Sequence, residues 1–250
     1  TDPETREKVA KLARYRSTWS IAQEPADEGR RTGYEDYVAR MPPEQKAIYY
    51  VVAQNLETAK ASPHLEGYRR KNLEVLMLTE PVDEWIVQHY TRFAEKPLVS
   101  VGKGSDDLAS DDEKKQLAET TKSFEGFIGA CKEALGEGVA DVRLSSRLTD
   151  SPCCLVGDAG AVTPQMEEMM RRMGQDVPRQ KRTLELNPLH PLVQRLQGLH
   201  GAGKGERVKE LIGVLRDQAV LADGAGIHLR HHQRHVILQS QCRGIVHHGD

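Results

Sequence analysis

The sequence predicts a small three-layer αβα unit of the α/β class, followed by an α+β domain. In the first half, three short apolar segments alternate with helical segments, which is typical of a parallel sheet covered on both faces. A Gly-, Ser- and Asp-rich stretch at 102–112 then marks a boundary. Strands and helices do not alternate cleanly beyond it. The predicted divisions are 1–33 for a helix and linker, 34–110 for the αβα unit and 111–250 for the second domain.

The composition is that of a polar chain with a modest core. The 250 residues carry 35 basic and 37 acidic side chains, a net charge of −2, with 38% hydrophobic residues and a mean hydropathy of −0.59. This charge gives no field that would attract nucleic acid or an anionic membrane, so neither partner is expected. No apolar run approaches the roughly 20 residues of a membrane helix, and no signal peptide opens the chain. Because the chain begins at Thr1, we expect a fragment.

The four cysteines favour a reducing compartment. Cys153 and Cys154 are adjacent in an apolar strand, where one side chain points to each face. We interpret both as small core residues, and Cys131 and Cys242 form no Cys-x-x-Cys spacing with them. A zinc site is therefore disfavoured, and a cytoplasmic location is expected.

The elements of the first half follow from hydrophobic periodicity. Helical spacing predicts a surface helix over 4–16, and Pro and Gly residues predict a mobile connection over 19–33. The predicted strands are 47–53, 73–78 and 98–101. The predicted helices between them are 56–60, which ends at Ser62-Pro63, and 82–93.

The second half is predicted in the same way. Apolar residues that step by three and four predict one long amphipathic helix over 112–135, which Gly136–Gly138 ends. Strands are predicted near 139–145, 153–157 and 183–186. Helices are predicted near 164–173, 189–199 and 205–222.

The helix at 164–173 carries an unusual methionine stripe. Thr163 is a plausible N-cap and Pro164 suits the first helical position. Glu167 and Glu168 each precede an arginine by four, which predicts ion pairs along the helix. The stripe consists of Met166, Met169, Met170 and Met173. Such a stripe is compatible either with core packing or with an exposed surface that adapts to many apolar partners.

The helix at 205–222 has one clean apolar face. That face is formed by Val208, Leu211, Ile212, Leu215 and Ala219. An apolar face on a final helix is a candidate for dimerisation, although it can equally pack on its own domain. The two alternatives are not distinguished by periodicity.

Catalytic and metal motifs are weak. There is no Gly-rich phosphate loop, no Gly-x-Ser-x-Gly and no His-Glu-x-x-His in the sequence. Residues 227–250 form a His-rich tail in which His231 and His235 share a helix face. A metal-binding protein that uses this tail is the least favoured alternative, and no metal residues are assigned.

Three ordered segments resemble one family. Residues 147–156 read Arg-Leu-Thr-Asp-Ser-Pro-Cys-Cys-Leu-Val, and they follow segments 34–41 and 81–85, which read Tyr-Glu-Asp-Tyr-Val-Ala-Arg-Met and Pro-Val-Asp-Glu-Trp. Together they resemble the heat shock protein 90 chaperones, in particular the bacterial branch. The resemblance covers roughly residues 1 to 226. It implies the distal middle domain followed by an α+β dimerisation domain.

The resemblance also implies a function. The positions that match client-contacting residues of the bacterial branch are Glu84, Trp85, Gln88, Val162, Met166, Met169 and Met170. The expected partners are partly folded client proteins and a second copy of the chain, with the 205–222 face in a dimer bundle. The family's ATP and Mg would belong to the full-length parent, so no cofactor and no ATP hydrolysis are expected of this fragment. The alternative is a passive dimerisation scaffold.

Overall fold

A computed structural model describes residues 3–22, 29–103, 108–158, 160–175, 177 and 180–223. In these ranges the chain is a mixed α/β protein with two sheets. The helices are α1 (Pro3–Leu12), α2 (Thr18–Ala22), α3 (Tyr34–Arg40), α4 (Leu56–Lys60), α5 (Glu66–Arg70), α6 (Pro81–His89), α7 (Asp111–Leu135), α8 (Pro164–Arg172), α9 (Pro191–Gly201) and α10 (Gly205–Ala222). The strands are β1 (Arg16–Ser17), β2 (Ile48–Val52), β3 (Val75–Leu78), β4 (Arg92–Phe93), β5 (Lys96–Ser100), β6 (Asp141–Leu144), β7 (Cys153–Val156) and β8 (Thr183–Leu186).

The first sheet has the order β1-β3-β2-β5-β4. Its three central strands are parallel, as predicted, because helices α4, α5 and α6 carry the chain back between them. The short edge strands β1 and β4 are antiparallel and were not predicted. Strand β4 reaches β5 through Ala94 and Glu95, whose positive φ angles of 46° and 61° are those of a tight hairpin turn.

Both faces of the first sheet are buried. Along β2, Tyr49 and Val51 join one hydrophobic cluster with Tyr68 of α5, whereas Ile48 and Tyr50 join a second cluster on the other face. Successive strand residues point to opposite faces, so a continuous apolar strand requires cover on both sides. This mixed α/β arrangement is compatible with the predicted αβα unit.

The second sheet has the order β6-β8-β7. Strand β8 pairs parallel with β6 and antiparallel with β7, which gives the mixed arrangement expected of an α+β region. Helices α7, α9 and α10 supply the main cluster on one face. Cys153 lies in that cluster and Cys154 in a smaller one on the opposite face, so the adjacent cysteines straddle the sheet as predicted.

Several boundaries differ from the predictions. The first helix ends at Leu12, and the predicted connection at 19–33 contains part of α2, where Ser17 and Ser20 exchange backbone-to-hydroxyl hydrogen bonds of 3.0 and 3.1 Å. Helix α6 ends at His89 because the chain turns into β4. The hydrogen bonds between Ser17 and Ser20 are local and polar, so they leave no hydrophobic periodicity in the sequence from which α2 could be predicted. Residues 104–107 of the predicted linker lie outside the described ranges, and the two-domain division stays a prediction.

Candidate functional site

A cleft of about 500 Å³ lies where the parallel strands of the first sheet end. Ala53 follows β2 on one side, and Pro81 and Glu84 of α6 continue the wall after β3. Met166 and Met169 of α8 line the opposite side. The crevice outside the carboxyl ends of parallel strands is a common place for binding sites in α/β proteins. The cleft brings together α6 and α8, which are distant in sequence.

Helix α6 presents a narrow exposed apolar face. Pro81 occupies the first helical position, and the Glu80 N–H donates to the Asp83 carboxylate over 3.0 Å, which caps the helix. Trp85 is 42% exposed and its ring stacks on His89, with centroids 6.4 Å apart. Gln88 is also exposed, as expected for a contact residue. The exposed Val82 was missed, although its spacing of three from Trp85 places it on the same face.

Helix α8 begins where the sequence predicted. The Thr163 hydroxyl accepts a hydrogen bond from the Met166 N–H over 3.2 Å, and Pro164 is the first helical residue. The Met stripe is not uniform: Met166 is only 3% exposed, whereas Met173 is 52% exposed. Met169 and Met170 are half-buried. Burial therefore changes along the stripe from its first turn to its last.

A partly buried hydrogen bond joins the two helices. The Thr163 hydroxyl lies 2.6 Å from each carboxylate oxygen of Glu84, and the Thr163 N–H donates to Oε1 over 3.3 Å. Burial raises the pKa of Glu84, and the Thr163 hydrogen bonds offset only part of that effect. Glu84 is only 6% exposed. Glu84 and Met166 are both covered where α8 meets α6. Their assignment as client-contacting residues stays a prediction.

Polar groups hold α8 to the rest of the second half. Glu167 pairs with Arg182 of the segment before β8 over 3.3 Å, a contact that the predicted pairing along the helix did not include. Arg182 also lies 3.4 Å from Asp223, which in turn contacts His64 Nε2 over 3.1 Å. Val162 is half-buried, and its N–H donates to the side chain of Gln180.

The apolar face of α10 is turned toward its own chain. Val208, Ile212, Leu215 and Ala219 are buried in the main cluster against α7, α9 and the second sheet, and Leu211 packs against the edge of that cluster. This is the packing alternative that the sequence left open. The face that was a candidate for dimerisation is therefore covered within the chain itself, by the second sheet together with α7 and α9. Leu221, which is exposed, is an apolar residue of α10 that remains accessible.

The Arg-Leu-Thr-Asp-Ser-Pro segment forms a structural joint. Arg147 is buried, and its guanidinium donates to Glu185 over 2.9 Å and to the Val101 carbonyl over 3.1 Å. Burial would raise the pKa of Glu185, but Arg147 and Arg143 outweigh it and leave the pKa lowered. Arg147 thus connects the end of the first sheet with the middle strand of the second.

Glu66 of α5 supports the same segment from the other side. Its carboxylate accepts the backbone N–H groups of Thr149, Asp150 and Ser151 over 2.6, 3.0 and 3.1 Å. Burial would raise the pKa of Glu66, but the hydrogen bonds from Ser151, Thr149 and Asp150 outweigh it and lower the pKa. The ionised carboxylate is thereby fixed in a nest of donors.

The described residues form neither a metal centre nor a membrane-spanning helix. No group of three or more His, Cys, Asp or Glu side chains in these ranges is placed to hold a metal ion. Among the helices that the structure describes, none combines the length and apolarity needed to cross a bilayer. The His-rich tail, with His231 and His235, lies outside the described residues.

The fold is that of a mixed α/β protein whose cleft is lined in part by the methionines of α8. The Hsp90 protein family model matches residues 1–239 of the chain. The chain therefore belongs to the Hsp90 family, and the resemblance carried by the three segments is confirmed. The match also extends past residue 226, the point at which the resemblance described above was expected to end.

The curated relatives are bacterial chaperones. The chaperone protein HtpG of Psychrobacter arcticus is 43% identical over 226 residues, which is 89% of this chain and 33% of the relative. HtpG of Psychrobacter cryohalolentis gives the same figures. HtpG of Bordetella avium is 41% identical over 229 residues, which is 90% of this chain and 35% of the relative. The chain thus spans about a third of the length of the relatives that it matches.

Proposed function

We propose that the chain is the part of an Hsp90-type chaperone that binds partly folded client proteins and pairs with a second copy of itself. One observation carries the client-binding part. Exposed Trp85 of α6 and the half-buried Met169 and Met170 of α8 belong to the two helices that wall one open cleft. Gln88 and Val162 extend this surface.

The chemistry suits a surface that must bind and release many sequences. Apolar client surface gains roughly 25 cal/mol for each Å² removed from water, without a requirement for direction. Methionine side chains adapt to different shapes, and tryptophan provides a large rigid contact. Numerous weak contacts of this kind favour broad recognition over tight binding of one partner.

The remaining assignments follow from the family. ATP and Mg chemistry would belong to parts of the relatives' length that this chain does not span, so we propose no ATP turnover for the chain itself. The proposed location is the bacterial cytoplasm. Dimerisation would use surface other than the buried face of α10, and Leu221 is one exposed candidate.

The client-binding proposal is tested with charged substitutions on the two helices that wall the cleft. Trp85→Arg and Met170→Lys should each weaken binding of reduced, carboxymethylated α-lactalbumin, a permanently unfolded probe, by roughly tenfold. Leu12→Lys is the matched control, because Leu12 is an exposed apolar residue of α1 outside the cleft. Unchanged probe affinity in both the α6 and the α8 variant, with native circular dichroism, would exclude this surface as the client site.

Self-association is tested separately by light scattering over a concentration series. A stable mass about twice the 28.0 kDa of the chain supports the dimer. A monomer at every concentration contradicts it. A dimer that never binds the unfolded probe would instead support the passive scaffold.

A further inference from the structure

We infer that α8 has a docked position fastened by the hydrogen bond between Thr163 and Glu84, and that docking hides part of the methionine surface from clients. This inference rests on the proposed client-binding function and assigns Glu84 a different role from direct contact. In the docked position, the first turn of α8 lies against the crevice at the carboxyl ends of the chain's own first sheet, and Met166 lines that crevice. A polypeptide client therefore competes with this crevice for the first turn of the helix.

The shorter contact of this fastening is made by a hydroxyl that has two roles. Thr163 Oγ1 accepts the Met166 N–H that starts α8, and it donates to a Glu84 carboxylate 79 positions away in the sequence. A hydroxyl has one proton and two acceptor lone pairs, so both contacts are satisfied at once. Hydrogen bonds to a carboxylate are stronger than neutral ones. The helix cap and the tether are therefore the same group.

The burial of Met166 depends on this docking. Although Met166 is 3% exposed, it belongs to none of the four buried hydrophobic clusters found in the described part of the chain. The further attachments of α8 are polar: Gln165 Nε2 donates to the Asp223 carbonyl over 3.1 Å, and Glu167 pairs with Arg182. A segment with few apolar contacts opens at low free-energy cost. Water can replace each polar contact when the helix leaves.

The two roles for Glu84 predict effects of opposite sign. If Glu84 touches the client directly, its loss should weaken binding. If it tethers α8, its loss should increase the fraction of molecules with the methionine surface open, and the apparent affinity should rise in proportion to that fraction. The sign of the change therefore distinguishes the two roles.

The variants are chosen so that the helix cap is preserved. Thr163→Asp keeps a good N-cap side chain but sets a second carboxylate against Glu84, which should release α8. Thr163→Asn is the matched control, because an amide also caps the helix and can still donate to Glu84. Glu84→Ala removes the tether from the other side. Glu206→Ala, at an exposed position of α10, controls for loss of one negative charge.

The first readout is methionine oxidation by dilute hydrogen peroxide, followed by mass spectrometry. Met173 is 52% exposed and reports the unhindered rate, whereas Met77 is buried in β3 and reports unfolding. Thr163→Asp and Glu84→Ala should raise the oxidation rate of Met166 roughly tenfold, toward that of Met173, with Met77 still protected. The asparagine variant should keep Met166 protected.

The second readout is the affinity for reduced, carboxymethylated α-lactalbumin. Tighter binding by Thr163→Asp and Glu84→Ala, with the asparagine variant unchanged, supports the tether. Weaker binding, or Met166 that stays protected in both release variants, overturns it. Absence of probe binding in every protein, including the wild type, defeats the proposed function, while the oxidation rates still test the tether independently.

Discussion

Two carboxylates of the first half each hold a segment of the second half, and their pKa values are shifted in opposite directions. Glu66 accepts three successive backbone N–H groups, whereas Glu84 accepts one hydroxyl and one longer N–H contact. The pKa of Glu66 is lowered because its donors outweigh burial, and the pKa of Glu84 is raised because burial outweighs its donors. The number of hydrogen-bond donors relative to the degree of burial thus distinguishes the fixed contact of Glu66 from the detachable contact of Glu84.

The strongest test of the joint is Arg147→Met. Removal of the guanidinium leaves the buried Glu185 carboxylate with only the half-exposed Arg143 as its cationic partner among the described residues. We expect a loss of about 3–5 kcal/mol in the free energy of unfolding, measured by urea denaturation. Arg143→Met should cost far less, since Arg143 is 45% exposed. Equal losses in the two variants would contradict the joint.

Glu66→Gln should have the next largest effect. An amide keeps one acceptor but loses the charge that the three N–H groups stabilise, so we expect about 1–3 kcal/mol less stability at pH 7. The contribution of the carboxylate is present above the ordinary pKa of 4.5 and is lost as the pH falls through the lowered folded value. The difference in stability between the wild type and Glu66→Gln should therefore decrease on acidification. Glu57→Gln, exposed on α4, should show neither effect.

A smaller effect is expected for Gly67→Ala. A Cβ at Gly67 would lie 3.2 Å from both the Cβ and the carbonyl oxygen of Arg147, which pushes α5 away from the joint. We expect a net loss of about 1 kcal/mol, because the better helix propensity of alanine offsets part of the crowding. Gly129→Ala in α7 meets nothing within 4 Å and should instead stabilise the protein slightly. The melting temperatures of the two variants relative to the wild type test these opposite expectations.

The smallest expected effect is the pH dependence of α8 docking. Because the pKa of Glu84 is raised when α8 is docked, protonation favours docking, which should strengthen as the pH falls toward the ordinary value of 4.5. The other titratable groups near Glu84 are Tyr50, Glu80, Lys103 and Arg172. Oxidation of Met166 relative to Met173 should therefore slow by at most about threefold between pH 7 and pH 5. The ratio should be flat in Glu84→Gln, and an increase in the wild type would reverse the assignment.

The sequence predicts elements well where one period dominates. The central strands of the first sheet and helices α7 and α10 were expected close to their observed positions because apolar residues recur without interruption. Strands β1 and β4 are two residues each, too short to produce a pattern. Periodicity therefore recovers the layers and misses the sheet edges.

The site was predicted less completely, since hydrophobic periodicity shows which face of a helix is apolar but not which elements pack against that face. The apolar face of α10 was correctly placed on one side of the helix, yet the second sheet and α7 cover it. Glu84 and Trp85 are adjacent in sequence, but one helical step of about 100° turns the first inward and the second outward. The contacts of Glu84 with Thr163 span 79 positions, so no local pattern could have indicated them.

The cysteines that straddle the second sheet have a consequence for thiol chemistry. Burial raises the pKa of Cys153 to about 12, and burial followed by the nearby Glu185 raises the pKa of Cys154 as well. Only a thiolate reacts readily with oxidants and alkylating reagents, so both sulfurs stay protonated and inert while β7 is in place. The extent of thiol modification at these two positions therefore measures the fraction of molecules in which the second sheet has unfolded.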